Sequence, residues 1–167
     1  MKRPVPWIPL LAMAIFFSCS QRYSPANDFQ TEEVDDGTSV QIIGYSGRGG
    51  EVRIPPRIRG LPVTVIWDEA FMQKQLTGVV IPDSVTFIGE WTFAGNTITG
   101  VDIPESVTHI GEGAFAENRI TNVTIPDSMT NIGAWAFERN RIATVTVPSH
   151  TEVHPQAFNR AVAITRR

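Results

Sequence analysis

Cysteine is almost missing from this 167-residue chain, where Cys19 stands alone. One thiol excludes a disulfide framework and a thiolate zinc finger. Histidine is scarce as well: His109, His150 and His154 are the full set. No nucleophile elbow, phosphate-binding glycine loop or HExxH string occurs, so nothing points to a cofactor or to catalysis. Positive charge is in deficit, with 14 Lys and Arg against 17 Asp and Glu; the basic face expected of a nucleic-acid binder is therefore lacking. The longest apolar stretch, Ile8 to Phe17, is broken by Pro9 and falls short of the ~20 residues a membrane-spanning helix needs. Helix-length periodicity is absent, and 13 Gly with 12 Pro interrupt the chain. A helical bundle is excluded.

Two short segments at the front stand apart from the rest. Lys2 and Arg3 followed by the apolar run have the form of a secretory signal over residues 1–18. Cys19, between Ser18 and Ser20, closes the run in the string FFSCS and resembles a bacterial lipobox, which implies acylation at Cys19 and attachment to a membrane. Residues 19–37 are polar and carry Asp28, Glu32, Glu33, Asp35 and Asp36. Such a composition buries too little apolar surface to offset its ordering entropy, and predicts a lipidated tether. The folded domain is then expected over residues 38–167.

That domain repeats itself every 22 residues. The best copies are IPDSVTFIGEWTFAGNTITGVD (81–102), IPESVTHIGEGAFAENRITNVT (103–124) and IPDSMTNIGAWAFERNRIATVT (125–146). Pro82, Pro104, Pro126 and Pro148 keep the period, as do Gly89, Gly111 and Gly133. Phe71, Phe93, Phe115 and Phe137 form another column, and Asn96, Asn118 and Asn140 a fourth. So short a period in so many columns predicts a solenoid of stacked coils. Ile98, Val101 and Ile103, repeated as Ile120, Val123 and Ile125, have the alternation of a strand with one buried face. Proline then ends the strand for want of a donor. Val107 and Ile110 return inward, Gly111 permits a turn, and Phe115 plugs the coil. Burying about six apolar side chains contributes ~10–15 kcal/mol per coil, against ~22–44 kcal/mol of backbone entropy, so no coil stands alone. The Asn column is expected to bond turn backbone inside the stack.

The strings IPDSVTFIG, IPESVTHIG and GEGAFAENRITNVTIP resemble the BspA-like (treponemal-type) leucine-rich repeats of bacterial surface proteins, over about residues 38–158. The resemblance implies a β-rich solenoid, specifically a short right-handed leucine-rich-repeat array. It also implies non-catalytic protein binding, with adhesion to host matrix or neighbouring-cell proteins. Two features depart from the family pattern: Asn where many members carry Cys, and Trp67 in the column of the turn glycines. At the front, SVQIIGY (39–45) and EVRIPP (51–56) read as an N-terminal hairpin cap. At the back, Val162 and Ile164 supply a last strand whose edge is open to pairing with another chain, a route to self-association.

Candidate contact residues lie in outward columns. Gly100, Asp102, Asn122, Thr124, Thr144 and Thr146 stand beside the buried strand residues and are small enough for close approach by a partner. Trp91 and Trp135 share a column two coils apart, ~10 Å by strand spacing, with a notch expected at Gly113 between them. Exposed tryptophans are frequent binding hot spots. Two acidic columns, Asp83/Glu105/Asp127 and Asp68/Glu90/Glu112, read as a solvated rim accepting turn hydrogen bonds, or as a dock for a basic partner or calcium. Arg119, Arg139, Arg141 and Arg160 lie near Glu117 and Glu138 and are expected to form salt bridges. The sequence thus reads as a protein-binding lipoprotein of the outer membrane or cell surface. A periplasmic structural or assembly subunit of the envelope is the alternative.

Overall fold

The computed structural model describes residues 23–167 of the chain; residues 1–18 and Cys19 lie outside the described residues. Fourteen short strands and two single 3-10 turns make up its regular structure. In chain order the strands are β1 (Phe29–Val34), β2 (Ser39–Tyr45), β3 (Gly50–Arg53), β4 (Arg57–Ile58), β5 (Leu61–Ile66), β6 (Leu76–Val80) and β7 (Phe87–Ile88). They continue with β8 (Gly100–Asp102), β9 (His109–Ile110), β10 (Asn122–Thr124), β11 (Asn131–Ile132), β12 (Thr144–Val147), β13 (Glu152–Val153) and β14 (Ala163–Arg166).

The coils stack along three sides. On the first, β2, β5, β7, β9, β11 and β13 run parallel, one strand per coil, so that Val65 pairs with Phe87, Phe87 with His109 and His109 with Asn131. On the second, parallel pairs β3–β6, β8–β10 and β12–β14 follow one another up the stack. The third side is built of turns, yet these also bond from coil to coil. The N–H groups of Trp91, Phe93 and Gly95 donate to the carbonyls of Glu112, Ala114 and Ala116, and those of Gly113, Phe115 and Glu117 to Ala134, Ala136 and Glu138. Each coil thus depends on its neighbours for backbone partners, as nearest-neighbour stabilisation of a solenoid requires.

Down the middle, Phe71, Phe93, Phe115, Phe137 and Phe158 form a spine with ring centroids 5.1, 5.1, 5.3 and 5.1 Å apart. The Asn column is buried against it. Asn118 Nδ2 donates to the carbonyls of Phe93, Phe115 and Ala116, while Oδ1 accepts the N–H of Ile98. Asn96 and Asn140 repeat the pattern. Each asparagine thereby joins its own coil to the preceding one. Among the described residues no buried polar side-chain atom lacks a partner.

The glycine column has a steric cause. A Cβ on Gly111 would lie 2.6 Å from the carbonyl carbon of Gly89, and one on Gly133 2.9 Å from that of Gly111. Successive coils touch there through backbone. Trp67, first in this column, follows β5, which pairs with β2, and its N–H donates to the Ile42 carbonyl.

The front of the stack differs from the expected layout in two ways. Residues 29–37 are not tether: β1 pairs antiparallel with β2, and Phe29 is buried against Tyr45 and Phe71 at the end of the spine. An edge strand needs only a few inward side chains, so its acidic remainder looks like linker by composition. The cap is indeed a hairpin, but of β1 and β2 around the Asp35-Asp36-Gly37 turn. Residues 39–45 do not pair with 51–56. Instead Ser46 to Gly49 carry the chain round a corner, and β3 joins β6 on the second side.

Candidate functional site

Three groups of outward side chains carry the candidate chemistry. The first is the tryptophan column on the turn side. Glu69, Trp91, Gly113 and Trp135 occupy equivalent places and all four have positive φ, from 51° at Trp91 to 60° at Gly113. The coil geometry demands this left-handed conformation, which costs a side-chain-bearing residue ~1–2 kcal/mol. Both tryptophans are half-buried. Their ring centroids lie 6.5 Å apart, tilted by 35°, rather than at the two-coil spacing. The indole of Trp91 leans over Gly113, where an added Cβ would meet the Trp91 Cε3. No notch opens between them: the missing side chain of Gly113 is the space in which Trp91 lies.

Beside the pair is a shallow depression of about 290 Å³, lined by Trp91, Trp135, Ala116, Glu117, Glu138 and Arg139. Arg139 and Glu117 form an ion pair across its rim. Arg119, Arg141 and Arg160 are exposed and make no ion pair among the described residues. The depression therefore has an aromatic floor and a charged edge of both signs.

The second group is the strand side. Gly100 and Asp102 on β8, Asn122 and Thr124 on β10, and Thr144 and Thr146 on β12 are all exposed. They form an outward ladder of small residues over the buried Val101 and Val145. None of the six lines the tryptophan depression. The sequence-predicted residues are thus two separate surfaces, one aromatic on the turn side and one flat on the strand side.

The third group holds the titratable residues. Asp68 Oδ1 accepts the N–H of Glu90, and Glu105 Oε2 that of Asp127. Asp127 in turn accepts Arg167. These carboxylates are partners for turn backbone and for the last arginine. His109 is exposed on β9, with Nδ1 2.8 Å from Thr108 Oγ1 and its ring 6.1 Å from Phe87. A groove of about 390 Å³ runs past Phe87, Glu90, His109, Glu112 and His154 over the glycine column. The pairing of His109 with Phe87 is a feature that column periodicity alone did not single out, because 87 and 109 are unlike residues. Among the described residues no group of three or more His, Cys, Asp or Glu is placed to hold a metal ion. No helix among them is long and apolar enough to cross a membrane.

Comparison with known proteins agrees with this geometry. The family model of the BspA type leucine-rich repeat region matches residues 61–165 in six copies. Among solved structures, a leucine-rich repeat protein of T. pallidum is similar with a TM-score of 0.69 and 26% identity, over 79% of this chain and 64% of that one. A leucine-rich repeat protein of Bacteroides ovatus is similar in fold, with a TM-score of 0.72 and 24% identity, over 81% of this chain and 39% of that one. The chain spans less than two thirds of either protein. No curated protein matches it.

Proposed function

Because the chain belongs to the BspA-type leucine-rich-repeat family, whose arrays are interaction scaffolds rather than enzymes in general, we propose that it is a non-catalytic, protein-binding lipoprotein of the bacterial envelope. In this reading Cys19 carries the lipid anchor, the domain is displayed at the outer membrane or cell surface, and its partner is a host matrix or neighbouring-cell protein. Trp91 and Trp135 are the anchors. The supporting observation is their backbone: two bulky aromatics occupy a left-handed position where glycine would relieve the cost, and both remain half-exposed. Tryptophan is enriched where a few side chains carry most of an interface's energy. The flat ladder of Gly100, Asp102, Asn122, Thr124, Thr144 and Thr146 provides a second surface that a partner backbone can approach.

Two measurements test this reading. Intact cells treated with external protease should lose the domain; protection in intact cells, with cleavage after lysis, would place it in the periplasm instead. Binding to immobilised matrix proteins should drop at least roughly tenfold in Trp91→Ala/Trp135→Ala, the loss of one typical hot spot. Undiminished binding by that double variant removes the tryptophan assignment.

A further inference from the structure

The charges around the tryptophan depression are not equivalent. Arg139 is held by Glu117 across the rim, and its side chain is 73% exposed. Glu138 is half-buried and its carboxylate makes no ion pair among the described residues. It lines the depression of Trp91 and Trp135. With Trp135 it also lines an adjoining one of about 160 Å³, beside Arg160. Arg160 is exposed and unpaired. Around the first depression Glu117 and Arg139 therefore offset each other, and Glu138 is left over. The unbalanced charge next to the indoles is negative.

An indole attracts a cation through the negative face of its π-system, so it adds to the pull of the carboxylate. An anion would meet both with the wrong sign. Among cations, the open shape of the site selects. Two rings with centroids 6.5 Å apart form no cage around a compact ammonium. A planar guanidinium, by contrast, lies flat on an aromatic face and meets a carboxylate with two parallel N–H groups.

We infer that the depression takes an arginine side chain presented by the partner protein. Its guanidinium lies on the indoles of Trp91 and Trp135 and directs its N–H groups to the Glu138 carboxylate. This rests on the proposal that the two tryptophans are the partner anchors, and names the group they receive. Arg139 shows the same chemistry within the chain, as a guanidinium held by a carboxylate at this rim.

A Gly-Ser peptide carrying one arginine, and the same peptide with citrulline in its place, separate charge from shape. Each is titrated into the full chain in a nonionic detergent and followed by the indole N–H resonances, assigned with Trp91→Phe and Trp135→Phe. The arginine peptide should shift both resonances at millimolar concentration. The citrulline peptide should bind roughly fivefold more weakly, having lost the cation from an exposed aromatic site and its ion pair. Glu138→Gln should weaken the arginine peptide about threefold, and Arg139→Gln, which removes a like charge and frees Glu117, should tighten it about twofold. Circular dichroism matching the parent shows that each variant is folded, and the citrulline comparison needs no variant. Weaker binding in Arg139→Gln with Glu138→Gln unchanged would mark an anionic group and overturn the inference. So would equal binding of the two peptides, or binding of neither. If that result accompanies loss of matrix-protein binding in Trp91→Ala/Trp135→Ala, the inference falls while the tryptophan anchors stand. If the double variant keeps both kinds of binding, both fall.

Discussion

The phenylalanine spine and the tryptophan column are built on the same 22-residue period and behave in opposite ways. In the spine every coil from Phe71 to Phe158 carries the same side chain, and neighbouring rings stack at 5.1–5.3 Å. In the outward column the occupant changes from Glu69 to Trp91, Gly113 and Trp135, although the backbone is left-handed at all four. A buried column repeats because each coil presents the next with the same cavity to fill. An outward column has no such demand on it, so variation there reports something other than the fold. The contrast separates residues that make the stack from residues that distinguish this stack from others.

The comparison can be broken most severely in the spine. Phe115→Ala removes a fully buried ring with stacking partners on both sides, and should lower unfolding free energy by about 3–5 kcal/mol, read from urea denaturation. Asn118→Ala should cost about 2–3 kcal/mol, because the buried Ile98 N–H and the carbonyls of Phe93, Phe115 and Ala116 lose a shared partner. Gly113→Ala sharpens the contrast from the outward side. The new methyl meets the Trp91 ring at a φ of +60°, so a loss of about 1–2 kcal/mol is expected. A changed near-ultraviolet dichroism should accompany it as the indoles part. If Gly113→Ala leaves that signal intact, the 6.5 Å contact between Trp91 and Trp135 is not held by the gap at Gly113.

The smallest effect belongs to the cap. Burial of the Tyr45 phenol, together with the nearby Asp28 carboxylate, raises its pKa above the usual value. The folded state then favours the neutral phenol. That contribution is complete below about pH 10, where an unfolded tyrosine ionises, and is lost as pH rises through the folded value. The unfolding midpoint should fall more steeply in alkali for the parent than for Tyr45→Phe, with tyrosinate absorbance appearing late in the parent. Equal slopes would mean that the front cap does not desolvate Tyr45.

Much of the architecture was legible in the sequence for the reason the spine shows: identical demands select identical residues. Phe93, Asn96 and Gly111 announce a core plug, a buried staple and a backbone contact through repetition alone. A hairpin cap was legible at the front, but not which strands form it, because the cap is used once. Nothing in FQTEEV distinguishes an acidic edge strand from a linker until Phe29 is seen against Tyr45 and Phe71. The hairpin partner was misread for a related reason, since two strands adjacent in sequence belong here to different sides of the coil. At the candidate site the tryptophan column was visible, but not the separation of its rings. Strand spacing fixes where Cα atoms lie, whereas the direction of a side chain at positive φ follows from the turn.

The asparagine staples have a genetic consequence. Each one grips groups that recur unchanged in every coil: a phenylalanine carbonyl of its own coil, another from the coil before, and the N–H of an aliphatic residue. At the asparagines, therefore, any interior coil can follow any other with the same bonds. Unequal crossing-over between the matching stretches of the gene would yield longer or shorter proteins that still fold, while moving Trp91 nearer to Trp135 or farther from it.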